Sequence, residues 1–223
     1  MNLSNFSEIL KAFCPVLLLS IVFTWVGSYW IDKLYMQEQD SDLLSFPGQI
    51  MQRALFRKPI LFLLITICMG KAWSIATGPK LIYLIIAIAL LVFITVTDFE
   101  QYVIFDSMLL PFAVVGACYA LHMQLSITEH LAAALGSGLL FFVLALVTKG
   151  ALGGGDIKLI AALGLWLGIK TLITVIIYGT MAGGIAALLL LLLKKITRKQ
   201  YLAYGPYFAL SAIGALLRLL NNI

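Results

Sequence analysis

Long apolar stretches separated by short polar connections run through almost the whole chain. A helix that crosses a bilayer needs about 20 mostly apolar residues. Eight stretches approach that length, and they cover residues 13–31, 59–78, 81–97, 107–123, 131–148, 157–170, 172–193 and 205–220. The chain passes from the sixth to the seventh at residues 168–171, so we expect these two stretches to form a tight hairpin. The pattern predicts an all-α, polytopic membrane helix bundle of about eight transmembrane helices.

One polar connection, residues 32–58, is long, but it is too short to form a separate globular domain. We therefore divide the chain into residues 1–58, an N-terminal transmembrane helix plus a short connection, and residues 59–223, a membrane domain. Polar and acidic residues precede the first apolar stretch, and no small-residue cleavage pattern follows it. We expect a retained helix rather than a removed signal peptide.

The distribution of basic residues predicts the orientation of the chain. When the connection 32–58 is placed in the cytoplasm, ten of the 15 Lys and Arg residues face inward and five face outward, namely Lys11, Lys71, Lys80, Lys170 and Arg218. This asymmetry is the one that the positive-inside rule expects. Both termini then lie outside, and the connections 98–106 and 149–156 share the cytoplasmic face.

Composition supports the membrane assignment and argues against a nucleic-acid partner. The chain is 62% hydrophobic and 11% charged, whereas soluble domains are about 45–50% apolar and about 25% charged. The formal net charge is +5, but the basic residues lie between apolar blocks and form no patch interleaved with aromatic residues. We therefore expect the lipid bilayer, and not nucleic acid, as the partner of these charges.

The scarce acidic residues suggest where chemistry takes place. Beyond residue 59 there are five, and four of them fall in the two connections predicted to share a face. Asp98 ends the third apolar stretch, and Asp156 begins the sixth, directly after three glycines. Two carboxylates that meet in a low-dielectric site share one proton, and such a pair can activate water to hydrolyse an amide. From the residues alone, interfacial charges and the proton-relay carboxylates of a transporter remain alternatives.

Three segments then carry a resemblance: TDFEQYVIFD at residues 97–106, GGGDIKLIAALGLWLG at 153–168 and YGPYFALSAIGALL at 204–217. In this order they resemble the type IV prepilin peptidases, a family of GxGD membrane aspartic proteases. The resemblance implies that Asp98 and Asp156 are the catalytic pair. It assigns supporting or substrate-binding roles to the other matching positions, which are Glu100, Asp106, Gly153, Gly155, Lys158, Gly205 and Pro206.

The resemblance also implies a function for residues 59–223 as a catalytic membrane domain. Members cleave the basic leader from type IV prepilins or pseudopilins at the cytoplasmic face of the bacterial inner membrane, just before the hydrophobic helix of the substrate. Glu100 and Asp106 would form an acidic vestibule for the positively charged leader. Two alternatives stay open: a proton-coupled small membrane transporter, and a non-catalytic component of a pilus or secretion assembly.

The chain departs from the family pattern at two places. Phe105 stands where the family often has proline before Asp106. Many members carry paired CxxC motifs that hold a metal, but the connection 32–58 contains no cysteine, so we expect neither zinc nor any other metal. Proteolysis by a carboxylate pair needs no cofactor. Methylation of the new N-terminus with S-adenosylmethionine is left open, because the N-terminal third diverges most from the family.

Overall fold

The computed structural model describes residues 3–39, 42–148, 152–194 and 202–219. Every regular element in these ranges is helical. The α-helices are α1 (Leu3–Gln37), α2 (Ile50–Arg53), α3 (Arg57–Ile75), α4 (Gly78–Gln101), α5 (Asp106–His122), α6 (Ile127–Val147), α7 (Gly154–Leu192) and α8 (Gly205–Leu219). The all-α fold expected from the apolar pattern is therefore confirmed.

Five helices within the described ranges are long and apolar enough to cross a membrane, and α5 is a shorter apolar helix. The longest, α7, is broken at Gly168, where φ is +65° and ψ is 179°. A positive φ of this kind is accessible to glycine at little cost. We refer to residues 154–167 as α7a and to residues 169–192 as α7b. The chain is a multi-pass membrane protein.

Contacts on the two sides of Gly168 show that the chain reverses direction there. In α7a, Gly164 lies against the backbone of Ala134 in α6, and Gly168 lies beside His130 at the start of that helix. In α7b, Gly179 packs on Phe208, whose ring meets that of Phe141 in α6 at 6.2 Å between centroids. The chain has thus returned along α6 by residue 179. The expected hairpin is confirmed, and eight apolar helical segments match the eight predicted stretches.

Helix α4 lies at the centre of the bundle and carries the first candidate catalytic residue at its end. It packs against α3, α5 and α8, while α7 packs against α5, α6 and α8. Every residue of α4 from Ala87 to Asp98 is buried. Its apolar character on all sides fits this position, because a helix that is hydrophobic all round is a buried one. The burial of α4 fixes the position of Asp98 in the bundle.

Several helix ends come together at one end of the bundle. The ends of α1 and α4 and the start of α3 are joined by hydrogen bonds among Tyr35, Arg57 and Glu100. The starts of α7 and α8 lie against Ile104, in the short connection between α4 and α5. The two connections predicted to share a membrane face therefore meet, although residues 149–151 of the second lie outside the described residues.

Candidate active site

A cavity of about 670 Å³ lies at this end of the bundle, and both Asp98 and Asp156 line it. Asp98 is in the last turn of α4 and is 5% exposed. Asp156 is in the first turn of α7 and is half-buried. The two carboxylates are close enough to repel each other electrostatically. Residues 58 positions apart in sequence are thus brought to one site.

The first turn of α8 holds the Asp98 carboxylate. The backbone N–H of Gly205 donates a hydrogen bond to it. A Cβ atom at Gly205 would lie 2.6 Å from Oδ2 of Asp98 and 2.8 Å from Cδ1 of Ile104, so any larger residue there would displace the Asp98 carboxylate, the Ile104 side chain or α8 itself. Pro206 follows in the first turn of the helix, where a missing N–H leaves no hydrogen bond unmade.

The three glycines before Asp156 are not equivalent. Gly153 precedes α7 and its carbonyl accepts hydrogen bonds from the backbone N–H groups of Asp156 and Ile157, at 3.1 and 3.3 Å. A Cβ atom at Gly153 would lie 3.3 Å from Oδ2 of Asp156, and one at Gly155 would lie 3.0 Å from Cβ of Ile104. At Gly154 a Cβ atom would meet nothing within 4 Å. The tight contacts therefore fall on the two glycines that the GxGD motif specifies.

One oxygen of each catalytic candidate has no hydrogen-bond partner among the described residues: Oδ2 of Asp98 and Oδ1 of Asp156. Both atoms are buried. Buried polar side-chain atoms are nearly always hydrogen-bonded, and exceptions call for an explanation such as a catalytic role. The two oxygens can bind a water molecule and a peptide group within the cavity that their side chains line.

Asp106 and Lys158 form an ion pair at the rim of the same cavity. The ammonium group of Lys158 lies 2.8 and 2.7 Å from the two carboxylate oxygens of Asp106. The Asp106 side chain is 70% exposed and the Lys158 side chain is 58% exposed. An exposed pair of this kind contributes about 0–1 kcal/mol to stability. Its structural consequence is a link between the start of α5 and the start of α7.

Glu100 lies apart from this cavity, unlike the other candidates in its segment. It is 7% exposed, and its carboxylate accepts hydrogen bonds from Arg57 at 2.8–3.0 Å and from the Tyr35 hydroxyl at 3.0 Å. Arg57 also pairs with Asp32. The expected acidic vestibule of Glu100 and Asp106 is therefore not what the structure shows, since each of these carboxylates is paired with its own cation.

The connection between α1 and α3 forms hydrogen bonds with the end of α4, the helix that carries Asp98. Arg53 donates a hydrogen bond of 2.7 Å to the carbonyl of Glu100. The Gln101 side chain accepts a hydrogen bond from the backbone N–H of Phe46 and donates one to its carbonyl, at 2.9 and 3.2 Å. A positively charged side chain is suited to the unpaired carbonyls at a helix C-terminus. Because Arg53 lies 47 positions before Glu100, no local sequence pattern indicates this contact.

Among the described residues, no group of three or more His, Cys, Asp or Glu side chains is placed to hold a metal ion. Besides the two aspartates and the rim ion pair, the polar side chains that line the cavity are those of Gln37, Glu38, Tyr102 and Ser107. Asp98, Asp106, Gly153, Gly155, Asp156 and Lys158 all line it, and Gly205 contacts Asp98 from α8. Of the candidates named from the sequence, Glu100, Gly205 and Pro206 are not part of the cavity lining.

Comparison with known proteins finds one family and relatives that share one name. The profile of the type IV leader peptidase family matches residues 85–188. A prepilin leader peptidase/N-methyltransferase of Bacillus subtilis (strain 168) is 32% identical over 159 residues, which are 69% of this chain and 63% of that protein. Proteins of the same name from Neisseria gonorrhoeae and Dickeya chrysanthemi are 31% and 29% identical, over 70% and 69% of this chain.

The aligned segments cover 55% and 56% of those two proteins. The chain thus spans little more than half the length of these curated relatives, and somewhat more of the Bacillus protein. No solved structure matches the chain significantly.

Proposed function

Since the chain belongs, through residues 85–188, to the type IV leader peptidase family, we propose that it is a membrane-embedded aspartic endopeptidase. Its substrates are type IV prepilins or pseudopilins, from which it removes the basic leader. One observation carries the proposal: Asp98 and Asp156, from two separate helices, line a single cavity, and each has a buried oxygen without a partner among the described residues.

The proposed reaction uses the two carboxylates with one proton between them. The ionised carboxylate takes a proton from water as the water oxygen bonds to the carbonyl carbon of the scissile peptide. The protonated carboxyl donates its proton to the carbonyl oxygen at the same time. When the C–N bond of the tetrahedral intermediate breaks, one carboxyl gives its proton to the leaving amine nitrogen. The other carboxylate takes a proton from a hydroxyl of the intermediate as the carboxylic acid product forms, so the pair again holds one proton. No covalent bond to the enzyme forms.

The surrounding residues support this chemistry by position. Gly205 lets the start of α8 approach Asp98, and Gly153 and Gly155 let the backbone before Asp156 turn without a side chain in the way. An extended substrate can then lie close to both carboxylates. We propose that the rim pair of Asp106 and Lys158 fixes the relative position of α5 and α7, which border the cavity.

We place the site at the cytoplasmic face of the bacterial inner membrane, with both chain termini on the opposite side. We call Asp98 and Asp156 the dyad. The support is the positive-inside rule, since ten Lys and Arg residues lie on the side of the dyad and five lie on the other. The names of the relatives also include an N-methyltransferase, but our proposal concerns the peptidase. A transporter would need carboxylates near the middle of its helices, whereas Asp98 and Asp156 lie in terminal turns.

The proposal is tested with the purified full chain in liposomes and a prepilin substrate that carries a short basic leader, a glycine and an apolar helix. Mass spectrometry should detect a loss equal to the mass of the leader and the matching free leader peptide. Liposomes without the protein are the control. If several such substrates keep their leaders while the protein remains folded in the liposomes, the peptidase proposal is wrong.

A further inference from the structure

A second depression, of about 630 Å³, runs from the rim of the catalytic cavity down the side of the bundle. Asp106, Ser107 and Lys158 line both spaces, so the two are continuous. The other residues of this depression are apolar and come from α5, α6 and α7a, namely Leu109, Leu110, Ala113, Ala134, Leu135, Ala161, Ala162 and Leu165. We call this depression the lateral groove.

The groove exists because α5 and α6 both pack against α7a but scarcely touch each other. Gly164 of α7a lies against the α6 backbone at Ala134, and Trp166 of α7a stacks on Phe112 of α5. Between these two contact lines, half of the apolar lining residues are alanines, namely Ala113, Ala134, Ala161 and Ala162. Their small side chains leave a channel with α7a as its floor.

The groove is shaped for an elongated apolar object that begins at the dyad. On α5 its lining runs from Asp106 to Ala113, and on α7a from Lys158 to Leu165. Seven steps along a helix correspond to about 10 Å, or two turns. Large apolar side chains stand on its two edges, since Leu110 is 69% exposed and Leu135 is 73% exposed.

We propose that the lateral groove binds the first two turns of the apolar helix that follows the scissile bond of the substrate. This inference rests on the proposed function and adds the route by which the substrate reaches the dyad. Alanines on the floor let a second helix approach closely, as small residues do where helices pack in lipid. Because the groove opens into the cavity, a helix lying in it delivers the residues before it to Asp98 and Asp156.

A physical consequence is that the substrate helix stays in the bilayer during cleavage. Access through the aqueous face would require apolar side chains to leave lipid, at about 25 cal/mol for each Å² exposed to water. Sideways docking from lipid avoids this transfer. The leader, which is charged, remains on the aqueous side of the rim pair while the helix contacts apolar residues of α5, α6 and α7a.

The contact can be tested by photo-crosslinking in an Asp156→Asn background, which holds the uncleaved substrate. A photoreactive amino acid is placed at Leu135, in the groove, or at Leu140, which is also exposed on α6 at 55%. Five positions along a helix correspond to a rotation of about 140°, so the control probe faces away from the groove. We expect crosslinks between position 135 and the first two turns of the substrate helix, and a much weaker product from position 140.

Filling the groove provides a second test that does not depend on the probe. Ala113→Phe places a ring in the groove, and Ala182→Phe places one on an exposed position of α7b. Cleavage is compared for two substrates: the full prepilin in liposomes, and a soluble peptide that spans the cut site without the apolar helix. We expect Ala113→Phe to lower the ratio of the cleavage rate of the full prepilin to that of the soluble peptide about tenfold, because the ring displaces the substrate helix. Ala182→Phe should leave this ratio unchanged.

The outcomes separate the inference from the function on which it rests. Equal crosslinking at positions 135 and 140, or an unchanged cleavage ratio in Ala113→Phe, would show that the lateral groove does not bind the substrate helix. The proposed peptidase function would still stand if the wild type cleaves. Failure of the wild type to cleave either substrate would instead overturn the proposed function. If the wild type cleaves only the helix-bearing substrate, the crosslinking result alone decides.

Discussion

Replacing Gly205 by alanine tests whether the close approach of α8 to Asp98 matters for catalysis. The added Cβ atom would lie 2.6 Å from Oδ2 of Asp98, whereas ordinary van der Waals contact begins at 3.4 Å. Relieving the overlap therefore moves the carboxylate, the helix, or both by about 0.8 Å. A misplacement of about 1 Å at a reacting group lowers rates by about a hundredfold. We expect a loss of this size in the rate of leader cleavage.

The substitution is informative because it should not harm the backbone. Gly205 does not have a φ in the left-handed region, and alanine favours a helix by about 1 kcal/mol relative to glycine in helix interiors. Two matched controls add the same methyl group where nothing lies within 4 Å: Gly214→Ala on the same helix and Gly154→Ala beside Asp156. Both should cleave at a rate close to that of the wild type.

The assay is single-turnover cleavage of a prepilin substrate in liposomes, with thermal unfolding of each variant measured in parallel. We expect Gly205→Ala to cleave slowly but to have an unfolding temperature close to that of the wild type. This expectation is refuted if Gly205→Ala cleaves within about twofold of the wild type, or if Gly154→Ala loses as much activity as Gly205→Ala does.

Three further substitutions test the packing around the site. Gly155→Val should lower cleavage at least about tenfold, because a Cβ atom there would lie 3.0 Å from an isoleucine side chain; normal turnover would mean that this glycine is only a hinge. Arg57→Met should lower the free energy of unfolding by about 3–5 kcal/mol, since it leaves Glu100 buried without its cation. Chemical denaturation in detergent measures the loss, and the double variant with Glu100→Gln should regain part of it. Gly164→Ala should destabilise the fold by about 1–3 kcal/mol, because its methyl group would lie 2.5 Å from the α6 backbone. Gly136→Ala, with nothing within 4 Å, should be close to neutral in the same measurement.

The helices could be predicted because each spans a bilayer and must therefore be apolar for about 20 residues. The hairpin at Gly168 was also predictable, since the chain passes from one such stretch to the next within residues 168–171. The bounds were less accurate where polar residues extend a helix. The helix that begins at Leu3 and ends at Gln37, for example, is much longer than its apolar stretch of residues 13–31.

The meeting of Asp98 and Asp156 could be predicted from topology and from the resemblance, but the role of Glu100 could not. Two steps along a helix turn a side chain by about 200°, so Glu100 points away from the cavity that Asp98 lines. Its partner Arg57 is 43 positions earlier in the chain, and no local pattern indicates such a pair. The contact between Lys158 and Asp106, 52 positions apart, escaped sequence reasoning for the same reason.

The steric role of Gly205 was likewise hidden in the sequence. Glycine followed by proline is typical of the start of a helix and of many turns. Only the packing of α8 against the end of α4 shows that a methyl group at this position would overlap the Asp98 carboxylate. Such a requirement depends on a contact between residues more than 100 positions apart, which spacing does not reveal.

The central claim, that two aspartates act together to hydrolyse the leader peptide bond, is tested most directly by removing each carboxylate in turn. Asp98→Asn and Asp156→Asn are compared with Glu129→Gln, which neutralises an exposed acidic residue in the first turn of α6, away from the cavity. Leader removal from a co-expressed prepilin is followed by mass spectrometry, with membrane abundance and unfolding temperature as checks. Either aspartate substitution should abolish leader removal in a stable, normally inserted protein, while Glu129→Gln processes the prepilin fully. Complete processing by Asp98→Asn or by Asp156→Asn would contradict the account.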